Sequence, residues 1–440
     1  MEKTKNILEK FQNKLNEVLL PIAEKIGQQR HLSAIKDSMA ILIPLTIIGG
    51  LSILLAQPPV NPETMKGSNF FFQFLLSWYN WAQQNINILM IPYRLTIGII
   101  SIYVSVSVAY RLAEKYNLPK LETSFTALLT FLCVAGAPQV LENGTFMPIA
   151  NLGATGMFIA IIISLLTVEI TYFFIKHDIT IKMPDSVPPN IASPFRVLFP
   201  LIFNVVFFIL LNTICENLLN NNLCNILLVF IQPLLNAADS LPSILFLLLL
   251  AQTFWFLGIH GDNMIGAIIT PITTANIALN LEAYNAGQEM THIFAGSFQS
   301  IWAGWIMQWA MLIVMIIFAK SQHLKKLSRL APVSTLFNVN EPLVFGVPTV
   351  LNTIIIIPQL IIIVFNISVA YFCTAFGIIG KSYMILPWTT PVPLFAFLTT
   401  MDIKALFLWL ILLVIDIFIM IPFVKTYDNN LLNQEKETIE

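Results

Sequence analysis

Two short segments of this chain carry ionisable side chains inside sequence that is otherwise apolar enough to lie in a membrane. The first, FWFLGIHGDN (254–263), contains His260, and the second, FNVNEPLVFGVPT (337–349), contains Glu341. A titratable group in the hydrocarbon core costs about 3 kcal/mol or more, so such groups are found where water or a polar ligand reaches them. We therefore expect His260 and Glu341 to lie at a site for a polar substrate.

The histidine segment offers a group that donates and accepts hydrogen bonds and changes protonation near neutral pH. These properties suit a hydroxylated substrate or the handling of a proton. The neighbouring Gly261 would let the backbone approach a ligand closely. The structural alternative is a His260 side chain that satisfies a helix-terminal carbonyl, and we favour the binding role. Asp262 either caps the helix that follows or binds the substrate, and the sequence leaves both open.

The glutamate segment combines two polar side chains of complementary type. Pro342 biases Glu341 toward extended backbone. The Glu341 carboxylate only accepts hydrogen bonds, whereas the Asn340 amide also donates them, so together they can hold vicinal hydroxyls of a sugar. The alternative is a structural turn in which both side chains satisfy free backbone N–H groups. Further along, Trp388 offers an apolar face to a pyranose ring, although its spacing alone favours an anchor at the membrane interface.

The composition is that of a polytopic membrane protein. Of the 440 residues, 57% are hydrophobic and 11% are charged, and the net charge is −1. Apolar runs of about 20 residues, the length that crosses a bilayer as a helix, recur without an alternating strand pattern, so we expect an all-α bundle. The predicted spans are Ser38–Ala56, Ile91–Tyr110, Phe125–Ala137, Gly153–Ile175, Phe195–Ile214, Leu241–Ile259, Ile301–Ala319, Ile354–Phe376 and Ala405–Val424. The four cysteines are scattered and no nucleotide or metal motif is present, so we expect no cofactor and no metal.

Basic residues predict the orientation of the chain. Seven lysines and arginines lie within the first 36 residues, whereas residues 139–150 hold none, so the N-terminus is expected to be cytoplasmic. Residues 1–34 place apolar side chains at helical spacing, which predicts an amphipathic helix on the cytoplasmic face. The Pro-rich stretch Lys182–Ser193 indicates a hinge or a domain boundary.

The second half alternates full spans with shorter apolar segments that Gly and Pro interrupt, namely His260–Ala286, Pro332–Val350 and Leu386–Met401. Non-helical backbone at membrane depth is tolerated only where protein buries it or where it lines a wet cavity. Interrupted segments of this kind are typical of the binding site of a transporter.

Four strings in this order carry a resemblance to a known family: QQRHLSAIKDSMAILIPLTIIGG, WFLGIHGDN, NEPLVFGVPTVLN and PWTTPVPLFAFLTT. The chain resembles the membrane IIC component of the bacterial phosphoenolpyruvate-dependent sugar phosphotransferase system (PTS), and within it the lactose/cellobiose/chitobiose permease family. The resemblance implies a homodimer in the bacterial plasma membrane, with about ten transmembrane helices and two re-entrant hairpins per subunit. It also implies an N-terminal scaffold and dimerisation domain (35–215), an elevator-type substrate domain (216–425) and a cytoplasmic tail (426–440).

The same resemblance implies which residues bind the sugar. His260 and Gly261 of GIHG, Asn340 and Glu341 of NEP, and Trp388 of PWT correspond to the family's substrate-binding positions. No residue is assigned a certain catalytic role, although Glu341 or His260 could orient or deprotonate the 6-hydroxyl of the sugar. The sequence does not choose between them.

The expected function is import of a β-linked disaccharide of the cellobiose, chitobiose or lactose type with 6-phosphorylation. In the family the phosphoryl donor is a phosphocysteine on a IIB protein. Few residues follow the last predicted span, so we expect IIB to be a separate partner and leave open whether this chain is itself an enzyme. The alternative function is an ion-coupled secondary sugar transporter, which also needs broken helices and buried carboxylates.

Overall fold

The computed structural model describes residues 29–56, 58, 70–184, 187–257, 260–347 and 352–437. Residues 1–28 of the predicted surface helix lie outside this part, as do residue 57 and residues 59–69. So do Gly258 and Ile259 of the histidine segment and the side chain of Glu341. The described chain is almost entirely helical, as the apolar runs predicted.

The described chain divides into two compact units. The N-unit comprises Gln29–Ala237 with Thr270–Glu282, and the C-unit comprises Ala238–Ile269 with Ala283–Glu440. The division falls later in the chain than the Pro-rich stretch 182–193. The roles assigned to the two parts of the chain, dimerisation and transport, remain predictions.

The N-unit is built from nine helices and one hairpin among its described residues. They are α1 (Arg30–Ala56), α2 (Phe70–Gln84), α3 (Ile86–Leu89), α4 (Ile91–Leu95), α5 (Ile100–Lys115), α6 (Lys120–Ala135), β1 (Gln139–Leu141), β2 (Gly144–Phe146), α7 (Met157–Lys176), α8 (Pro189–Leu219) and α9 (Leu223–Ala238). Helix α5 packs against α1, α6 and α7. Small polar side chains join these helices: Ser164 Oγ donates to Ser105 Oγ at 3.1 Å, and the hydroxyls of Thr130 and Thr167 lie 3.0 Å apart. Small hydroxyl residues let helix backbones approach closely inside a membrane.

The C-unit is built from eight helices and one π-helical segment among its described residues. They are α10 (Leu241–Phe256), α11 (Gly261–Asn285), the π-helix Ser300–Trp305, α12 (Ile306–Phe318), α13 (Gln322–Leu336), α14 (Glu341–Gly346), α15 (Thr353–Ala375), α16 (Val392–Thr400) and α17 (Ile403–Glu437). Residues 270–282 of α11 belong to the N-unit. Helix α17 packs against α12, α15 and α16, and α12, α13, α15 and α17 share an apolar core that contains Met311, Leu324 and Met420.

Within the described residues, eight helices are long and apolar enough to cross a membrane. They include seven of the predicted spans, and the eighth is Met264–Asn285. The segment 260–286 was expected to be interrupted, and this expectation is wrong because α11 runs through it as one helix with Pro271 inside. A proline is tolerated in a membrane helix because neighbouring groups satisfy the carbonyl that it leaves free.

The predicted span Ile91–Tyr110 is broken rather than continuous. Helix α4 ends at Leu95, Thr96 adopts non-helical angles (φ −116°, ψ −84°), and α5 begins at Ile100 after a short 3₁₀ turn. The Thr96 hydroxyl donates to Pro92 O at 2.6 Å, a local bond that competes with the regular helix. A Cβ at Gly49 of α1 would lie 2.5 Å from Thr96 Oγ1, so the break is packed tightly against α1.

The loop after α6, which contains no lysine or arginine, forms a small antiparallel hairpin. Strands β1 and β2 pair Gln139 with Phe146 and Leu141 with Gly144. The two-residue loop Glu142–Asn143 is followed by Gly144 at φ +136°, an angle that a side chain would strain. The Asn-Gly dipeptide is a hairpin signal that the hydropathy pattern did not reveal.

One end of the N-unit carries a set of polar side chains that we call the charged cluster: Arg30, His31, Asp37, Lys115, Tyr116 and Glu169. His31 Nε2 lies 2.7 Å from Glu169 Oε1, and the Tyr116 hydroxyl donates to the same oxygen at 2.5 Å. Lys115 Nζ donates to Ser33 Oγ at 2.8 Å and lies 3.3 Å from Asp37 Oδ2. Burial, with the Glu169 carboxylate, raises the pKa of Tyr116 to about 12.

Helix α17 is 35 residues long and continues through most of the predicted tail 426–440. Near its end two carboxylates accept hydrogen bonds from the backbone where α13 begins. Asp428 accepts from Lys320 N at 2.7 Å and from Ser321 N at 2.9 Å. Glu435 accepts from Gln322 N at 2.9 Å. These carboxylates satisfy N–H groups that have no partner inside α13.

Candidate functional site

A cavity of ≈ 220 Å³ lies within the C-unit. Its lining comes from α10, the start of α11, the π-helix, α12, the segment around residue 340 and α15. Six of the side chains that line it are carboxamides, and we call it the amide cavity: Gln252, Gln299, Gln308, Asn338, Asn340 and Gln359. The volume corresponds to about seven water molecules at about 30 Å³ each, and a cavity with such polar walls is suited to water or a hydroxylated ligand.

Two of the carboxamides hold each other. Gln252 Nε2 of α10 donates to Gln359 Oε1 of α15 at 2.6 Å, and the two residues are 8% and 1% exposed. A buried amide is costly without a partner, so this bond fixes two helices that would otherwise present unsatisfied groups to each other.

The other four carboxamides have buried oxygens that accept no hydrogen bond from any residue in the described part of the chain. They are Gln299 Oε1, Gln308 Oε1, Asn338 Oδ1 and Asn340 Oδ1. Buried polar atoms are normally partnered, so each such atom in a native structure calls for an explanation. Four such oxygens around one cavity offer acceptors to water or to a ligand that donates hydrogen bonds.

The histidine segment lies at the junction of α10 and α11. The rings of His260 and Trp255 lie 4.2 Å apart between centroids at an angle of 44°. Trp255 Nε1 donates to Asp262 Oδ2 at 3.0 Å, and all three residues line the cavity. Asp262 also lies in the first turn of α11, where the negative charge of a carboxylate interacts favourably with the helix dipole. The structure is therefore compatible with both roles that the sequence left open for Asp262.

The glutamate segment is fixed by Asn338. This residue adopts a left-handed conformation (φ +63°), which Asn tolerates better than most residues. Its Nδ2 donates to Trp388 O at 2.6 Å and to Thr390 O at 2.7 Å. Asn338 thus ties the residues before α14 to the PWT segment and places Asn340, the N-cap residue of α14, at the cavity.

The predicted site residues are distributed as follows. His260 and Asn340 line the cavity. Gly261 packs against α10, since a Cβ there would lie 2.0 Å from Ala251 O. Glu341 begins α14 next to Asn340, and its side chain lies outside the described part of the chain. The indole of Trp388 is 50% exposed and is not part of the described cavity lining. Their substrate-binding roles remain predictions.

Most residues of the lining were not predicted from the sequence, because few of them carry an ionisable side chain. Gln252, Gln308 and Gln359 each stand alone in a long apolar run. A carboxamide in such a run is also costly in a membrane and was a usable signal. Within the described lining, His260 and Asp262 are the ionisable side chains. The cavity is therefore suited to a neutral ligand with many hydroxyls.

The fold and the cavity define a class: a helical membrane protein with a neutral polar cavity enclosed by apolar helices, as in a permease for a small polar solute. Comparison with known proteins gives the family. The family model "Phosphotransferase system, EIIC" matches residues 36–362. The chain belongs to this family and is a PTS IIC sugar permease of the lactose/cellobiose/chitobiose type, an integral membrane protein.

Individual relatives match over nearly the whole chain. The oligo-beta-mannoside-specific EIIC component of Bacillus subtilis is 31% identical over 96% of this chain and 96% of its own length. The lactose-specific EIICB component of Staphylococcus haemolyticus is 32% identical over 94% of this chain and 70% of its own length. The crystal structure of ChbC, the IIC component from the N,N′-diacetylchitobiose-specific system, superimposes with a TM-score of 0.85 at 28% identity, covering 96% of this chain and 99% of that one. A PTS IIC component works with a sugar and a IIB protein, and the EIICB relative carries both components in one chain.

Proposed function

We propose that this permease binds a β-linked disaccharide of the cellobiose, chitobiose or lactose type in the amide cavity and delivers it for phosphorylation. The observation that carries the proposal is the set of four buried amide oxygens around one cavity that accept no hydrogen bond from the described residues. A sugar offers hydroxyl donors in the number that these oxygens require. The relatives' names specify oligo-beta-mannoside, lactose and N,N′-diacetylchitobiose, which fits this class of substrate.

The phosphoryl step is proposed to use a separate IIB protein. The S–P bond of a phosphocysteine on IIB breaks and a P–O bond to the sugar 6-oxygen forms, while the hydroxyl proton passes to a carboxylate or imidazole. Glu341 and His260 are the candidates for that acceptor. His260 lines the cavity, and Glu341 directly follows Asn340, which also lines it.

Transport is proposed to follow an elevator movement in a homodimer, with the N-terminus cytoplasmic. In this proposal residues 35–215 form the dimer scaffold and residues 216–425 carry the sugar. The location of the whole described cavity lining within the C-unit supports this assignment, because a carrier domain must contain its own binding site. The short helix α14 and the segment before α16 are candidates for the two re-entrant hairpins within about ten membrane helices.

Reconstitution into proteoliposomes tests the proposal. Uptake of cellobiose, lactose or N,N′-diacetylchitobiose is expected only with phosphorylated IIB on the other side, and the product is expected to be a 6-phosphate. Uptake that needs no IIB and stops when ionophores collapse an ion gradient would instead support the ion-coupled alternative.

A substitution at the glutamate tests the proton acceptor. Glu341→Gln keeps the shape of the side chain and removes the charge, so phosphorylation is expected to fall at least ~10-fold while sugar binding persists. Unchanged phosphorylation would exclude Glu341 and leave His260 as the candidate.

A further inference from the structure

The π-helix Ser300–Trp305 forms one wall of the amide cavity, and carboxamides stand on both sides of it. Gln299 is its N-cap residue, and Gln308 lies in the first turn of α12. Both side chains line the cavity. Neither belongs to the GIHG, NEP or PWT segments.

The π-helix explains how these two residues reach the same cavity. Gln308 follows Gln299 by nine residues. In a regular α-helix nine residues turn through about 900°, which would place the two side chains on opposite faces. A π-helical turn takes up one extra residue, which reduces the rotation by about 100° and brings both side chains toward one side. Segments of this kind are rare and occur often at functional sites.

Between the two carboxamides the wall has a gap at Gly304. This glycine lines the cavity, and a Cβ added to it would meet no heavy atom of another described segment within 4 Å. Packing therefore does not require glycine at this position, in contrast to Gly261. The open position allows a flat ligand to lie directly against the backbone of the wall.

The two acceptors beside this gap receive no hydrogen bond from the described residues. Gln308 is 6% exposed, and within the described part of the chain neither its Oε1 nor Gln299 Oε1 has a hydrogen-bond partner. Two buried acceptors on either side of an open backbone position match a pyranose ring whose hydroxyls point to both sides of it.

We propose that Gln299, Gly304 and Gln308 form a sugar-ring subsite in which the ring lies over Gly304 and donates hydroxyl hydrogen bonds to the two amides. The subsite rests on the proposed sugar-binding function of the cavity. It makes Gln308 a specificity-determining residue, because an acceptor fixed on a helix distinguishes sugars by the orientation of one hydroxyl.

Binding to the purified full-length protein tests the subsite, with isothermal titration of cellobiose, lactose and N,N′-diacetylchitobiose. Gln308→Met keeps the volume and removes both hydrogen-bonding atoms, so the best ligand is expected to bind ~10-fold more weakly and the ratios among the three sugars to change. Gly304→Ala and Gly304→Val fill the gap and are expected to weaken binding progressively, with at least a ~10-fold loss for valine.

The control is Gly98→Ala in the N-unit, where an added Cβ meets only Tyr93 O at 3.5 Å, and its sugar binding is expected to equal that of the wild type. Thermal unfolding establishes that each variant is folded, and Gln299→Met replaces Gln308→Met if the latter does not fold. Wild-type affinity and sugar ratios in the folded variants would overturn the subsite while the proposed function stands. Absence of disaccharide binding by the wild-type protein would overturn the proposed function itself.

Discussion

The charged cluster of the N-unit and the amide cavity of the C-unit use polar groups in opposite ways. In the charged cluster, Glu169 receives bonds from two partners and Lys115 contacts two acceptors. In the amide cavity the side chains are mostly neutral, yet four buried oxygens receive no hydrogen bond from the described residues. Groups that satisfy each other stabilise the fold, whereas buried acceptors without a protein donor are available to water or to a ligand.

The difference shows that charge alone is a poor guide to function in this chain. The charged groups of the cluster lie among partners at a unit's end, where ion pairs contribute little beyond local order. The carboxamides of the cavity carry no charge, yet a buried amide is costly wherever it has no hydrogen-bond partner.

The largest expected effect on stability comes from replacing Gly261, which packs closely against α10 beside the cavity. Gly261→Ala would place a Cβ 2.0 Å from Ala251 O, so α10 and α11 must separate. We expect a loss of about 3 kcal/mol in the free energy of unfolding, measured by denaturation of the purified protein in detergent. Gly304→Ala is the matched control and is expected to leave stability unchanged, because its added Cβ meets no atom within 4 Å. If the Gly261→Ala and Gly304→Ala proteins were equally stable, Gly261 would not be packed more tightly than Gly304.

A smaller effect on stability is expected from the hydrogen-bonded pair Gln252 and Gln359, in which, as in the charged cluster, polar side chains satisfy each other. Gln252→Leu or Gln359→Leu alone leaves a buried amide without its 2.6 Å partner and is expected to cost about 1–3 kcal/mol. The double variant is expected to cost less than the sum of the single ones, since neither amide then remains unpaired. Additive costs in the double-mutant cycle would show that the pair is not coupled.

The smallest effect is expected in the charged cluster itself. Glu169→Ala removes the acceptor shared by His31 and Tyr116, and because the Glu169 side chain is 37% exposed, the expected cost is about 1 kcal/mol. Glu169→Gln keeps an acceptor oxygen and serves as the control for charge, and its difference from the wild type is expected to shrink at high salt. Sugar binding is expected to be unchanged in both variants. A loss of binding would show that the charged cluster and the cavity are not separate in function.

Much of the fold could be predicted from hydropathy alone. The run Gly153–Ile175 predicted the helix observed at Met157–Lys176, because a long apolar segment must be helical in a membrane. The break at Thr96 could not be predicted, because it depends on packing against Gly49 of another helix. The continuity of α11 through Pro271 likewise depends on neighbouring groups that one segment does not reveal.

The site was predictable in part. His260 and Asn340 were chosen for their chemistry, and both line the cavity. Gln252, Gln308 and Gln359 carried a comparable signal as lone carboxamides in apolar runs, but attention to titratable groups passed over them. The π-helix had no local signature, because a shift from one hydrogen-bonding register to another is decided by tertiary contacts.

The length of α17 has a mechanical consequence. Its 35 residues span about 52 Å along the helix axis, which exceeds the thickness of about 30 Å of a hydrocarbon core, and Pro422 lies inside it. On its last turns, Asp428 and Glu435 accept hydrogen bonds from the backbone at the start of α13. Helix α13 ends at Leu336, two residues before Asn338. The last turns of α17, helix α13 and the residues before α14 therefore form one connected path within the C-unit, along which a displacement of α17 would reach residues that line the amide cavity.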